Sequence, residues 1–492
     1  MRSKWRARCL PAQYSDDDAI GPRPRGYTAF SIVMTRYKFN NRRKLLILRI
    51  SERFSWKSLP SLQTQFLTTP YYLRKIRTER MRNRDIPALT GLRFFAAFAI
   101  VVEHLWPNLM KVTPGVPYPD SFHQLAYLGM SLFFVLSGFI IHYNYSTLVS
   151  SARGLYDFAV ARFSRLYPLF LALIVYDVIC GNFILNSTSV ERRPYIVALP
   201  YMLAGIQSWV YGFFGNHPIT FPFHFTHVSW SISTEFFLYL TYPALCAVVL
   251  LPRSPKRAIH VAICVCAVST LILWWVRENG PLIDRLGAVL GVIENPNADP
   301  KTQFSEWFGY IAPYPRVLEF FTGCAVAQAY MFLDRHPVSE RERCVARILV
   351  IGAMAYIAMF VLEFQIDADW LTELVSAMGL LPAISIVMFC CARYDVKLLS
   401  WAPVVALGEA SYSMYLLHMV IIEKSAPTVF VDPTLANILI LSSRTVVILV
   451  AIALISLGMH RYFEQPMRRF LRRVLSRRST TAPVAAQYRR PL

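Results

Sequence analysis

From Pro87 to Pro107 the chain reads PALTGLRFFAAFAIVVEHLWP, an apolar run long enough to cross a bilayer, with an arginine near one end and a histidine near the other. Further apolar windows follow near 123–146, 164–185, 195–211, 228–252, 257–276, 315–333, 345–363, 371–391, 402–423 and 434–462. A span must satisfy its own backbone polar groups, so windows of this length predict helices, and the short loops between them leave no room for a soluble domain. The fold class expected is an all-α polytopic membrane protein. Loop charges decide how many windows cross, because Lys and Arg collect in short cytoplasmic loops. If every window spans, Arg253, Lys256 and Arg257 fall outside and most later basic loops are inverted. If 195–211 is re-entrant or external, then Arg153/Arg162/Arg165, Arg253/Lys256/Arg257, Arg335/Arg341/Arg343, Arg393/Lys397 and Arg468/Arg469/Arg472/Arg473 are all cytoplasmic. The acidic loop 363–369 then lies outside. About ten transmembrane helices with both termini cytoplasmic are expected.

Composition agrees with that pattern: 55% of the 492 residues are hydrophobic, 16% are charged, and the mean hydropathy is +0.38. The net charge of +21 resembles a nucleic-acid signal until it is located. Residues 1–80 hold 18 Lys/Arg and 5 Asp/Glu, a local +13, so the excess sits in a tail beside the first span. Such a tail reads as a contact with anionic membrane lipid, and no nucleic-acid partner is expected. The segment 1–80 has no hydrophobic run beyond Leu45–Leu48 and is expected to be a disordered extension, with Met81 a natural start. A transmembrane domain over 81–469 and a basic cytoplasmic tail over 470–492 complete the division. The cysteines follow no pairing or metal spacing and read as free thiols.

Ionisable side chains inside membrane helices are candidates for function. Arg93 and His104 are eleven residues apart, three turns plus about 20°, so they leave one helix face roughly 16 Å apart along the axis. The expected topology puts Arg93 near the cytoplasmic face and His104 in the outer half. Glu235 shares a face with Ser231 and also falls in the outer half. Ser411, Tyr415 and His418 form one polar stripe with His418 outermost. Each of these groups can simply hydrogen-bond a neighbour and fix packing. If they meet, an imidazole can take a hydroxyl proton and a carboxylate can hold its tautomer, which is what acyl transfer to an alcohol needs. His104 and Glu235 are therefore the catalytic candidates. Glu103, about 100° round the helix from His104, reads as facing outer water or a second charge pair.

At the other face Arg162 and Arg165 stand at i, i+3 just before a span. Guanidinium forks at that spacing suit a phosphate group. The alternative is a basic flank on lipid phosphate. An acyl-CoA donor has its phosphates at one end of an arm comparable in length to the Arg93–His104 separation. Ser137-Gly138 looks like a nucleophile site, but it lacks strand-turn-helix context and reads better as a notch for close helix packing. His217, His224 and His227 crowd one external loop without a cysteine or carboxylate set, so no metal is expected. Trp209, Tyr211, Phe213, Phe214 and Trp230 offer aromatic faces to a sugar. A transporter or flippase for a polar glycan is the competing class, although two matching halves with broken helices are absent from the sequence.

The chain also resembles the membrane acyltransferase 3 family of bacterial O-acyltransferases. The resemblance runs from about Asp85 to Arg469 and rests on six motifs in order: Arg93 through His104; Gly129 to Phe139 (GMSLFFVLSGF); Arg162-Phe163-Ser164-Arg165; Trp230 to Glu235 (WSISTE); Ser411 to His418 (SYSMYLLH); and Glu464-Gln465-Pro466. It implies a multi-pass protein of the bacterial inner membrane that moves an acyl group, most often acetyl, from cytosolic acyl-CoA to a hydroxyl of a surface polysaccharide, lipopolysaccharide or lipid-linked glycan, with no permanently bound cofactor. On this reading Arg93, Arg162 and Arg165 bind the donor. Ser137, Trp230, Ser231, Tyr415 and His418 contact substrate. The chain departs from the family in the acidic Glu103 before the histidine and in its basic N-terminus. Many relatives carry a further C-terminal hydrolase-like domain, so transfer is expected to finish in the membrane part or on a separate protein.

Overall fold

A computed structural model describes residues 34–37, 45–48, 86–110, 121–180, 189–214, 217–218, 227–292, 303–362, 379–394, 396–425 and 434–476. The chain divides into two units, Met1–Asn83 and Arg84–Leu492. In the first, β1 (Met34–Tyr37) pairs antiparallel with β2 (Leu45–Leu48), Met34 opposite Leu48. The remainder of 1–80, for which disorder is expected, lies outside the described residues, as do the acidic loop 363–369 and the tail beyond 476.

The second unit is helical. Its elements are α1 (Pro87–Met110), α2 (Ser121–Tyr145), α3 (Ala152–Cys180), α4 (Ser189–Ala204), the short pair β3 (Phe213–Phe214) and β4 (His217–Pro218), α5 (Trp230–Val249), α6 (Pro255–Glu278), α7 (Gly280–Val289), α8 (Pro313–Leu333), α9 (Glu340–Leu362), α10 (Leu381–Arg393), α11 (Ala402–Glu409), α12 (Ser411–Ser425), α13 (Leu435–Met459) and α14 (Gln465–Ser476). Among the described residues seven helices are long and apolar enough to cross a membrane, or eight if the broken pair α11/α12 forms one span. Ten were expected. The window 195–211, not expected to cross, lies in a sixteen-residue helix that stops at Gly205, whose φ is +69°; of the ten expected spans, 315–333 forms α8, which is not among the seven, and 371–391 is described only from residue 379. The window 402–423, expected as one helix, turns by 69° at Ala410.

Burial separates an inner from an outer ring. At least half of the apolar stretch of α1, α2 and α3 is covered by protein, against less than a quarter for α6, α9 and α13. The outer helices expose Ile263, Leu271, Ile348, Ile351, Val447 and Leu454, a surface suited to lipid. At the centre lies α8, packed on α2, α6, α5 and α10, and it carries the buried polar groups Arg316, Glu319, Thr322 and Gln328. Close approach there depends on glycine. A Cβ on Gly138 of α2 would lie 2.0 Å from the Phe320 carbonyl oxygen of α8, and one on Gly323 of α8 would lie 2.0 Å from the Val135 oxygen. Each backbone thus seats in the other's notch, the packing reading of Ser137-Gly138. Gly138→Ala is expected to cost about 3 kcal/mol, the upper end for overpacking, because the obstacle is backbone on both sides. Thermal unfolding in detergent checks this, with Gly352→Ala, where an added Cβ meets nothing within 4 Å, as the control that keeps its midpoint.

Candidate active site

Two site histidines come from opposite ends of the chain. His104 lies three turns beyond Arg93 on α1, and His418 lies on α12, whose first residue, Ser411, follows the break at Ala410. Their nitrogens meet, His418 Nε2 to His104 Nδ1, at 3.0 Å. His418 is fully buried, and its Nδ1 lies 2.6 Å from the Tyr415 carbonyl oxygen. A carbonyl only accepts, so Nδ1 of His418 carries a hydrogen and, in the neutral ring, Nε2 accepts from His104 Nδ1–H. This chain leaves the lone pair on His104 Nε2. That nitrogen lies 3.3 Å from Glu103 Oε2, and the His104 side chain is 27% exposed. An imidazole fixed in one tautomer, reachable, and flanked by a carboxylate is built to accept a proton. Tyr415 is itself held: its hydroxyl donates to the Val228 carbonyl (2.6 Å) and accepts from Ser231 (2.8 Å).

A cavity adjoins this arrangement at Tyr415. Arg93, Ser137, Arg165, Ser231, Glu235, Ser411 and Tyr415 all line it. Six of the residues singled out from the sequence thus share one space with Ser411, although they come from α1, α2, α3, α5 and α12. Three placements differ from expectation. Glu235 is not the carboxylate beside His104: it accepts from Tyr239 at 2.7 Å and faces the cavity that holds Arg93 and Arg165. Arg162 and Arg165 do not form one fork. Arg165 lines the cavity, whereas Arg162 is buried with its guanidinium 4.6 Å from the Tyr145 ring centre and 5.8 Å from that of Tyr239, a cation–π box. Trp230 packs on Tyr310, with ring centres 5.1 Å apart, outside this cavity. The loop histidines lie outside the described side chains.

A family profile described as an acyltransferase domain matches residues 86–459. The chain belongs to this acyltransferase family. It is 25% identical over 406 residues to the peptidoglycan O-acetyltransferase OatA of Listeria monocytogenes, an alignment covering 80% of this chain and 57% of that protein. It is 26% identical over 345 residues to the acyltransferase MdmB of Streptomyces mycarofaciens, covering 69% and 79%, and 25% identical over 412 residues to the O-acetyltransferase OatA of Staphylococcus aureus, covering 80% and 59%. The chain therefore spans little more than half the length of the two OatA proteins. No solved structure matches it.

The remaining motifs brace the site. Tyr412 donates to the Leu166 carbonyl and so ties the SYSMYLLH helix to the residue after Arg165. Ser413 donates to Glu464 at 2.9 Å, and Glu464 also meets His460 at 2.9 Å within the π-helical turn His460–Glu464, which accounts for Glu464-Gln465-Pro466. Sequence reasoning missed two groups here. Arg468 and Arg472, read as a basic flank, lie on α14 within electrostatic reach of one another and of Tyr145, and Arg468 also within reach of Arg162 and Arg165. Helix α14 contacts α3, and Tyr156 donates to the Leu475 carbonyl at 2.8 Å. Only the fold brings the two basic motifs together.

Proposed function

We propose that the protein is an integral-membrane O-acyltransferase of the bacterial inner membrane that moves an acyl group, acetyl in the first instance, from cytosolic acyl-CoA to a sugar hydroxyl of a surface or lipid-linked glycan. The observation that carries the reading is the hydrogen-bonded series from the Tyr415 carbonyl through His418 to His104, with Glu103 beside the last nitrogen. His104 Nε2 takes the hydroxyl proton as the oxygen attacks the thioester carbon. Glu103 stabilises the imidazolium, and that proton then passes to the departing thiolate, so the products are ester and CoA thiol. Arg165 and Arg93, in the cavity, pair with donor phosphates, and Arg468 and Arg472 add positive charge at the cytoplasmic mouth. The relatives support the class of reaction: two are named O-acetyltransferases and one of these acts on peptidoglycan by its name.

The test is release of CoA thiol from acetyl-CoA by the purified full chain in detergent, with and without a glycan acceptor. Acceptor-dependent release with ester on the sugar is the expected result, and its absence under any acceptor would overturn the reading in favour of transport. The two carboxylates separate within the same assay. Glu103→Gln is expected to lower kcat about 10- to 100-fold, since one charge stabilising the imidazolium is removed. Glu235→Gln is expected to act mainly on the acetyl-CoA KM. The reverse pattern would return the orienting role to Glu235.

A further inference from the structure

A second cavity shares none of the first one's lining residues. Its polar centre is an ion pair on the first turns of α8: Arg316 Nη1 donates to both oxygens of Glu319, at 3.1 and 3.2 Å, Ser131 of α2 donates to Glu319 at 2.6 Å, and Arg316 Nε donates to the Tyr310 carbonyl at 2.9 Å. Arg316 is 2% exposed, yet its Nη2 has no hydrogen-bond partner among the described residues. Arg316 is one of the cavity's lining residues, and a buried guanidinium donor without a partner is costly unless an accepting group reaches it. The walls are aromatic, formed by Tyr127, Tyr310, Trp274 and Phe360. Tyr127 and Tyr310 have ring centres 4.7 Å apart, and Arg316 lies 4.8 Å from the centre of Tyr310.

Charge separates the two cavities. The first holds two arginines and one glutamate, Arg93, Arg165 and Glu235. The second is balanced, Arg277 and Arg316 against Glu306 and Glu319. A polyanionic donor has no reason to enter it. A balanced, polar-centred, aromatic-walled space suits an uncharged sugar ring, whose C–H face lies on aromatic rings and whose oxygens accept from fixed donors. Tyr310 joins the space to the chemistry: its ring packs on Trp230, and Tyr415 and Glu103 are among the groups that act electrostatically on its hydroxyl.

We infer that this second cavity is the acceptor subsite, and that it binds an uncharged pyranose with Arg316 Nη2 donating to a hydroxyl or acetamido oxygen of the sugar. The inference rests on the O-acyl transfer reading for its place in the reaction. It is tested with the full chain in detergent and three probes: p-nitrophenyl β-glucoside, its N-acetylglucosaminide counterpart, and the anionic glucuronide. Equilibrium binding of each is measured first, then the acceptor KM. Arg316→Lys keeps the charge and loses the planar fork, and Trp274→Ala removes a half-exposed wall without touching the ion pair. Each is expected to weaken binding of the uncharged glycosides about 10-fold or more, with the acetyl-CoA KM held. Tighter binding of the glucuronide, or unchanged glycoside affinity in both folded variants, would overturn the inference. Binding that the variants lose, in a protein that transfers nothing from acetyl-CoA, would retain the carbohydrate site and overturn the transfer reading instead.

Discussion

His104→Ala is expected to cut turnover by about 10²-fold or more while leaving acetyl-CoA affinity in place, the scale on which a positioned general base acts. The expectation follows from the nitrogen that is lost. Nε2 of His104 holds the lone pair in the hydrogen-bonded series, and His418 cannot replace it, because it is fully buried and its own Nδ1 is committed to the Tyr415 carbonyl. The substitution also strands the buried His418 Nε2, at about 1–3 kcal/mol of stability. Thermal unfolding therefore has to accompany the kinetics. A folded His104→Ala protein that turned over at the parental rate would sink the histidine-centred mechanism and leave His104 as a packing residue.

Arg165→Ala should raise the acetyl-CoA KM by about 10- to 100-fold, corresponding to about 1.5–3 kcal/mol for a charge-assisted contact, with little loss of kcat at saturation. Its neighbour should behave differently. Arg162 sits among Tyr145, Phe158 and Tyr239 with its charge buried, so Arg162→Ala removes packing and three cation–π contacts, and it should appear first as a lowered unfolding temperature. Measuring donor KM and stability for both variants separates the roles. Equal rises in KM with equal stability would restore the paired phosphate fork.

The pattern of apolar windows made the helical membrane fold legible, and helical spacing made the common faces of Ser231 with Glu235 and of Ser411, Tyr415 and His418 legible too. Those groups do line one space or bond one another. That Glu103 rather than Glu235 lies beside His104 was not legible for a definite reason. A helical wheel sets Glu103 about 100° from His104, but it tracks Cα–Cβ directions, and a three-torsion side chain reaches back to place its oxygen 3.3 Å from the imidazole. The i, i+3 rule failed for Arg162 and Arg165 because neighbouring elements, not the helix itself, claim each guanidinium: α2 and α5 supply aromatic rings to one and the cavity receives the other. Charge on the loops singled out 195–211 as no full span, in keeping with the short α4, but did not reveal the break at Ala410. Gly408 was the available signal for the latter, since a Cβ there would lie 1.9 Å from the Thr90 oxygen of α1. The second cavity was illegible because Ser131, Arg277, Tyr310 and Glu319 are far apart in sequence and share no spacing.

The break at Ala410 also bears on how the protein can be made. At fifteen residues α12 is about 22 Å long, short of the roughly 30 Å hydrocarbon thickness, so it does not qualify as a membrane segment without the eight residues of α11 that rest against α1. The first of the described helices is thus the support on which one of the last described helices is seated. His104 and His418 are separated by 314 positions, so their contact forms only once α12 has emerged and docked.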